Sequence, residues 1–105
     1  MAEEQKIEQK FKEIMESMGW KALKLNCPGF AGMPDRIVLK GNGQIFFAEI
    51  KAPGKKPRPL QEERIMMLRD MGYPVYVVDS VEYAKAVLLQ ECGCRYEEAR
   101  EVIHQ

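Results

Sequence analysis

Asp35, Glu49 and Lys51 are the residues of this chain whose types and spacing could do chemistry together. They stand in Pro34-Asp35 and Glu49-Ile50-Lys51, on either side of one tight turn, Gly41-Asn42-Gly43. A three-residue hairpin loop at that turn pairs Lys40 with Gln44, and the same register carries Asp35 to a position opposite Glu49. Directly opposed side chains of an antiparallel pair have Cβ atoms about 4.5–5.5 Å apart. Glu49 and Lys51 are two residues apart, so they project from the same face of their strand. One hairpin thus gathers two carboxylates and one ammonium. Two hard oxygen ligands with open positions suit Mg²⁺ or Mn²⁺. A lysine beside them suits water activation or charge stabilisation during attack on phosphorus.

Each residue also has a plainer reading. Asp35 is a natural turn residue beside glycine and proline. Glu49 could form an edge-strand salt bridge with Lys51 or Lys40. Lys51 could be a solvent lysine at a strand end. The apolar run Phe46-Phe47-Ala48-Glu49-Ile50 weighs against the plain reading of Glu49. A carboxylate half buried there is costly unless it is paired or metal-bound.

The elements that must position these residues follow from periodicity. Ile7, Phe11, Ile14, Met15 and Met18 form one helical stripe, predicting a helix from Ala2 to Met18 that Gly19 ends. Trp20 to Asn26 alternates as a strand, and Cys27-Pro28-Gly29-Phe30-Ala31-Gly32 reads as a loop. Asp35 to Lys40 and Gln44 to Lys51 are the hairpin strands. Phe46, Ala48 and Ile50 face one way; Ile45, Phe47, Glu49 and Lys51 face the other. Three prolines and a glycine break the chain between Pro53 and Pro59. A second helix begins at Pro59 or Leu60 and ends at Gly72, with Leu60, Arg64, Met67, Leu68 and Met71 on one face and Ile65 nearby. Pro74 to Val78 is a short buried strand. Ser80 caps a third helix with Tyr83, Ala84, Val87 and Leu88 inward, and a short helix is expected over Tyr96 to His104. The step from the Glu49 strand through the second helix to the Val75 strand is long enough for a parallel crossover. The result is an α/β fold: a mixed sheet of about four strands in the order helix-strand-strand-strand-helix-strand-helix.

With 105 residues, the chain is expected to be one domain with a modest core. No apolar run approaches the ~20 residues of a membrane span, and the acidic, polar Met1-Ala2-Glu3-Glu4-Gln5 is not a signal peptide. Three cysteines without framework spacing favour a reducing, cytoplasmic setting. Cys92-Gly93-Cys94 reads as small residues closing a helix, and the only histidine, His104, is a poor catalytic candidate. Formal net charge is zero but unevenly spread. Residues 20–58 carry eight cations and only two acids, and those acids are Asp35 and Glu49. A basic zone whose only acids are candidate metal ligands is what a phosphodiester site needs. Lys55, Lys56 and Arg58 are candidates for phosphate contacts, which position a nucleic acid without reading its sequence.

The order of these motifs resembles the PD-(D/E)XK nucleases, and in detail the virus-type replication-repair nuclease (VRR-NUC) domain. The resemblance rests on Gly32-Met33-Pro34-Asp35, on Phe46-Phe47-Ala48-Glu49-Ile50-Lys51-Ala52-Pro53-Gly54, on Leu60-Gln61 opening a helix, and on Gly72-Tyr73-Pro74-Val75. It runs from about Glu4 to about Ala84. It implies a restriction-endonuclease-like core and a Mg²⁺- or Mn²⁺-dependent endonuclease acting on DNA. It also implies that the Ile50 carbonyl ligates metal beside Asp35 and Glu49, that Gln61 lies near the active site, and that a helix-one glutamate, Glu4, is a further ligand with Glu8 as its competitor. A homodimer cutting branched DNA such as four-way junctions, in repair of DNA, follows by the same analogy. Two other readings stand beside it: a non-catalytic nucleic-acid-binding module on the same scaffold, and a protein-interaction domain using Met66, Met67 and Met71.

Overall fold

The computed structural model describes residues 2–93. The helix expected over 96–104, His104 and Cys94 lie outside the described residues. The elements run α1 (Glu3–Glu16), β1 (Lys21–Lys24), β2 (Arg36–Gly41), β3 (Gln44–Ile50), α2 (Pro59–Asp70), β4 (Val75–Val78) and α3 (Val81–Cys92). The four strands form one mixed sheet in the order β1-β2-β3-β4. β1, β2 and β3 are antiparallel neighbours, and β4 returns parallel to β3 after the α2 crossover.

Strand alternation divides the apolar residues between two sheet faces. Ala22, Val38, Phe46, Ala48, Ile50 and Val78 pack with Ile7, Phe11, Ile14 and Met15 of α1 and Ala84, Val87 and Leu88 of α3. Phe47 and Val75 turn to the other face, where Ile65 and Leu68 of α2 cover them. β3 is buried from Phe46 to Ile50 because helices cover both of its faces. Among the described residues no helix is long and apolar enough to cross a membrane.

Three expectations change in detail. The hairpin closes more tightly than a three-residue loop: Gly41 pairs with Gln44, and the turn residues Asn42 and Gly43 have φ of 53° and 76°. Positive φ at both central residues is the condition for a two-residue type I′ turn, which Asn-Gly meets at little steric cost. Lys40 is then the extra residue, absorbed as a bulge between Leu39 and Gly41. Beyond the bulge the register is the expected one, from Leu39 opposite Ile45 to Arg36 opposite Ala48. Second, the buried face of α2 is Ile65 and Leu68, whereas Leu60 and Met71 are exposed. The helix is rotated so that Leu60 and Arg64 meet the loop before Asp35 rather than the sheet. Third, Tyr83 is exposed although Ser80 caps α3 as expected, its hydroxyl accepting the Tyr83 N–H at 3.0 Å.

Candidate active site

The hairpin register sets the site. Arg36 is the last paired residue of β2 and lies opposite Ala48, so Asp35 comes next, at the level of Glu49. Two backbone contacts hold it. The Leu25 N–H donates to the Asp35 carbonyl at 2.8 Å, and the Ile50 N–H donates to Asp35 Oδ2 at 2.8 Å. The second bond spans the two motifs, because an acid from Pro34-Asp35 is oriented by the amide inside Glu49-Ile50-Lys51. It leaves Oδ1 for another partner.

Glu49 is 1 % exposed. Lys51 Nζ lies 3.0 Å from its Oε2. That contact is an ion pair out of line for a directed bond, and among the described residues neither Glu49 oxygen has an aligned hydrogen-bond partner. A buried carboxylate in this state is expensive, because ionised groups removed from water need compensation. Burial, and secondly the charge of Asp35, push the Glu49 carboxyl above its ordinary value of 4.5, and Lys51 with the nearby Asp35 N–H offsets only part of this. Burial also raises Asp35 above 3.8 despite the Ile50 N–H, with Glu8 and Glu4 adding to the rise. Two carboxylates that both resist ionisation, held side by side, form a site of concentrated negative potential.

Lys51 is fixed from a second direction. Its Nζ donates to Gln61 Oε1 at 3.0 Å. The same oxygen accepts the Arg58 N–H at 2.8 Å, the returning half of a capping box at the start of α2. Gln61 therefore couples the ammonium to the helix that covers this sheet face. Of the three N–H groups on Lys51, one is directed at Gln61, while Glu49 is met only as an ion pair, which leaves N–H capacity for an incoming group.

The two glutamates of α1 separate by role. Arg36 Nε and Nη2 both lie 3.0 Å from Glu8 Oε2, and Arg36 Nη1 donates to the Ala22 carbonyl at 3.1 Å. Glu8 is thus held by a largely buried guanidinium, and Arg36 is not free to meet a phosphate. Glu4, one turn earlier, is exposed, and its charge reaches Asp35. The basic zone is correspondingly smaller than the charge count suggests. Lys24 pairs with Glu8, and Lys40 with Glu91. Lys55, Lys56 and Arg58 remain exposed on the segment between β3 and α2 without ion pairs to described residues. Lys55 and Lys56 line an open cleft of about 430 Å³ with Pro57, Val77, Asp79 and Tyr83. Sequence reasoning missed the Arg36–Glu8 clamp. Its one local signal was an arginine on the strand face, shared with Val38, that turns toward α1.

Among the described residues no group of three histidine, cysteine, aspartate or glutamate side chains gathers for a metal. Asp35 and Glu49 are two, and the buried Glu49 oxygens without aligned donors fit a hard cation. Mg²⁺ in particular is held by one or two carboxylates and keeps several waters, so two acids with a main-chain carbonyl suffice.

A mixed sheet between helices, with two acids and a lysine meeting at the end of a central strand, defines a restriction-endonuclease-like domain. Residues 2–82 match the VRR-NUC domain, and the chain belongs to that family. It is 42% identical over 77 residues to a protein of Acyrthosiphon pisum secondary endosymbiont phage 1 named "Putative nuclease p44", a match covering 73% of this chain and 83% of that one. A solved VRR-NUC domain superposes with a TM-score of 0.82 at 29% identity, covering 87% of this chain and 99% of the other.

Proposed function

We propose that this protein is a divalent-metal-dependent DNA endonuclease that hydrolyses phosphodiester bonds. The reading is carried by Glu49, a buried carboxylate whose two oxygens lack aligned donors and which lies level with Asp35. Asp35, Glu49 and the Ile50 carbonyl would hold Mg²⁺ or Mn²⁺. When bound, the ion supplies Lewis acidity to the scissile phosphoryl group and makes water a better nucleophile. Lys51 directs an N–H not used by Gln61 at the attacking water or at a phosphoryl oxygen, adding positive charge where negative charge builds in the transition state. Gln61 keeps the ammonium pointed inward by accepting one of its protons. Lys55, Lys56 and Arg58 contact the DNA backbone and set its register on the protein. Glu4 is the remaining acid placed to add an outer ligand.

A homodimer would present two such sites to two strands, which suits branched DNA such as a four-way junction. The test is a cleavage panel of linear duplex, flap, fork and junction DNA with Mg²⁺ or Mn²⁺. Metal-dependent cutting that disappears in Asp35→Ala and in Lys51→Ala supports the reading. Salt-sensitive binding with no cutting on any substrate would instead mark a non-catalytic binding module.

A further inference from the structure

The loop leading into Asp35 carries an aromatic side chain that the proposed chemistry does not use. Its neck is closed by the Leu25–Asp35 backbone bond, and within it the Phe30 N–H donates to the Cys27 carbonyl at 3.0 Å across Pro28-Gly29. Phe30, the residue that closes this turn, is 41% exposed. Its ring is nonetheless braced. The Arg64 guanidinium carbon lies 3.9 Å from the ring centroid, and Arg64 Nε donates to the Ala31 carbonyl at 2.9 Å. Gly32 seats the loop directly on α2: its φ is +92°, and a Cβ there would lie 2.9 Å from Leu60 Cγ. A large apolar side chain is thus held outward by a rigid support.

That support is the part of α2 that serves the acid–lysine cluster. Arg64 follows Gln61 by three residues, so the two are neighbours on the helix surface, with Cβ atoms about 5–6 Å apart. Gln61 holds Lys51, and the Phe30 loop itself ends at Asp35. Phe30 is therefore tied to the site through both the chain and the helix. Arg64 spends only Nε within the described residues, leaving its Nη groups to meet a phosphate. A partly exposed ring braced by a guanidinium fits a nucleobase. Stacking of this kind tolerates any sequence, because every base has a π-face. Bases inside a duplex are already stacked and must be unpaired to reach such a ring.

We propose that Phe30 and Arg64 form a base-stacking subsite that selects DNA carrying an unpaired nucleotide beside the scissile phosphate. The inference rests on the nuclease reading and adds the substrate feature that the site recognises. It is tested by fluorescence anisotropy with Mg²⁺ in the Lys51→Ala background, so that no strand is cut during titration. The probes are a labelled blunt DNA hairpin and the same hairpin with a short unpaired tail. The parent should prefer the tailed probe. Adding Phe30→Leu should reduce that preference by about 5- to 150-fold, the range for losing one stacked base. Phe30→Trp should retain it, and the salt slope for tailed DNA should be the same in all three because no charge changes. The proposal is overturned if the parent shows no preference, if Phe30→Leu keeps it, or if affinities for both probes fall together. If the parent binds neither probe, the nuclease reading falls as well, whereas blunt-end binding without tail preference overturns the subsite alone.

Discussion

Replacing Glu49 by glutamine should make the metal-free protein more stable while abolishing its response to metal. The carboxylate is 1 % exposed, lacks an aligned donor and has its pKa raised by burial and by Asp35. A raised folded-state pKa means that the fold favours the protonated form. The corresponding stability is present below the ordinary value of 4.5 and lost as pH rises through the folded value. Glutamine mimics the protonated form at every pH. An unsatisfied buried polar group costs about 1–3 kcal/mol. The attraction of Lys51 offsets part of that, leaving a gain of about 1 kcal/mol for Glu49→Gln near pH 8. For a domain of this size that is a rise in Tm of about 4–8 °C. The difference should shrink as pH is lowered toward 4.5. A bound cation removes the same penalty in the parent. At a concentration ten times Kd, linkage gives about 1.4 kcal/mol, or roughly 5–11 °C. Thermal melts of both proteins at pH 8 and pH 5, in EDTA and in Mg²⁺, read all four quantities. The reasoning is refuted if Glu49→Gln melts below the parent in EDTA at pH 8, or if Mg²⁺ raises both midpoints equally.

Other substitutions separate support from chemistry. Gln61→Ala removes a cap acceptor and a Lys51 partner together, so it should cost about 1 kcal/mol in denaturant titrations and slow turnover more than it raises KM. Glu91→Ala leaves Lys40 and the Tyr76 hydroxyl, both of which it binds, without their acceptor. The cost is on the order of 3 kcal/mol, yet metal affinity by calorimetry should be unchanged, because this cluster lies at the turn end of the hairpin. Gly32→Ala forces a strained φ and a contact with Leu60. A loss of about 1–3 kcal/mol is expected, with protease sensitivity rising in the 27–34 loop.

Much of the fold and the placement of the candidate acids and lysine could be read from the chain because both depend on short-range patterns. Alternation from Gln44 to Ile50, with Asn42-Gly43 as turn, specifies the hairpin register: slipping one residue would send Phe46 and Ala48 to the wrong face. That register alone places Asp35 level with Glu49. The Lys40 bulge was not legible, since a bulge and a longer loop can produce the same downstream pairing. The rotation of α2 was hidden because Leu60 and Met71 fit an apolar stripe as well as Ile65 does. The burial of Ile65 and Leu68 against Phe47 and Val75, with Leu60 set against Gly32 instead, shows which face meets the sheet. The Arg36–Glu8 clamp and the double acceptance by Gln61 join residues from different elements, and no local spacing announces them. The basic zone was overcounted for the same reason, as Lys24, Arg36 and Lys40 find acids far along the chain.

Anomalous diffraction from crystals soaked in Mn²⁺ tests the shared-cation geometry most directly. One manganese peak should lie between the carboxylates of Asp35 and Glu49, within bonding distance of the Ile50 carbonyl, and vanish in Glu49→Gln crystals. A peak elsewhere, or none at Mn²⁺ concentrations that support cleavage, would contradict it.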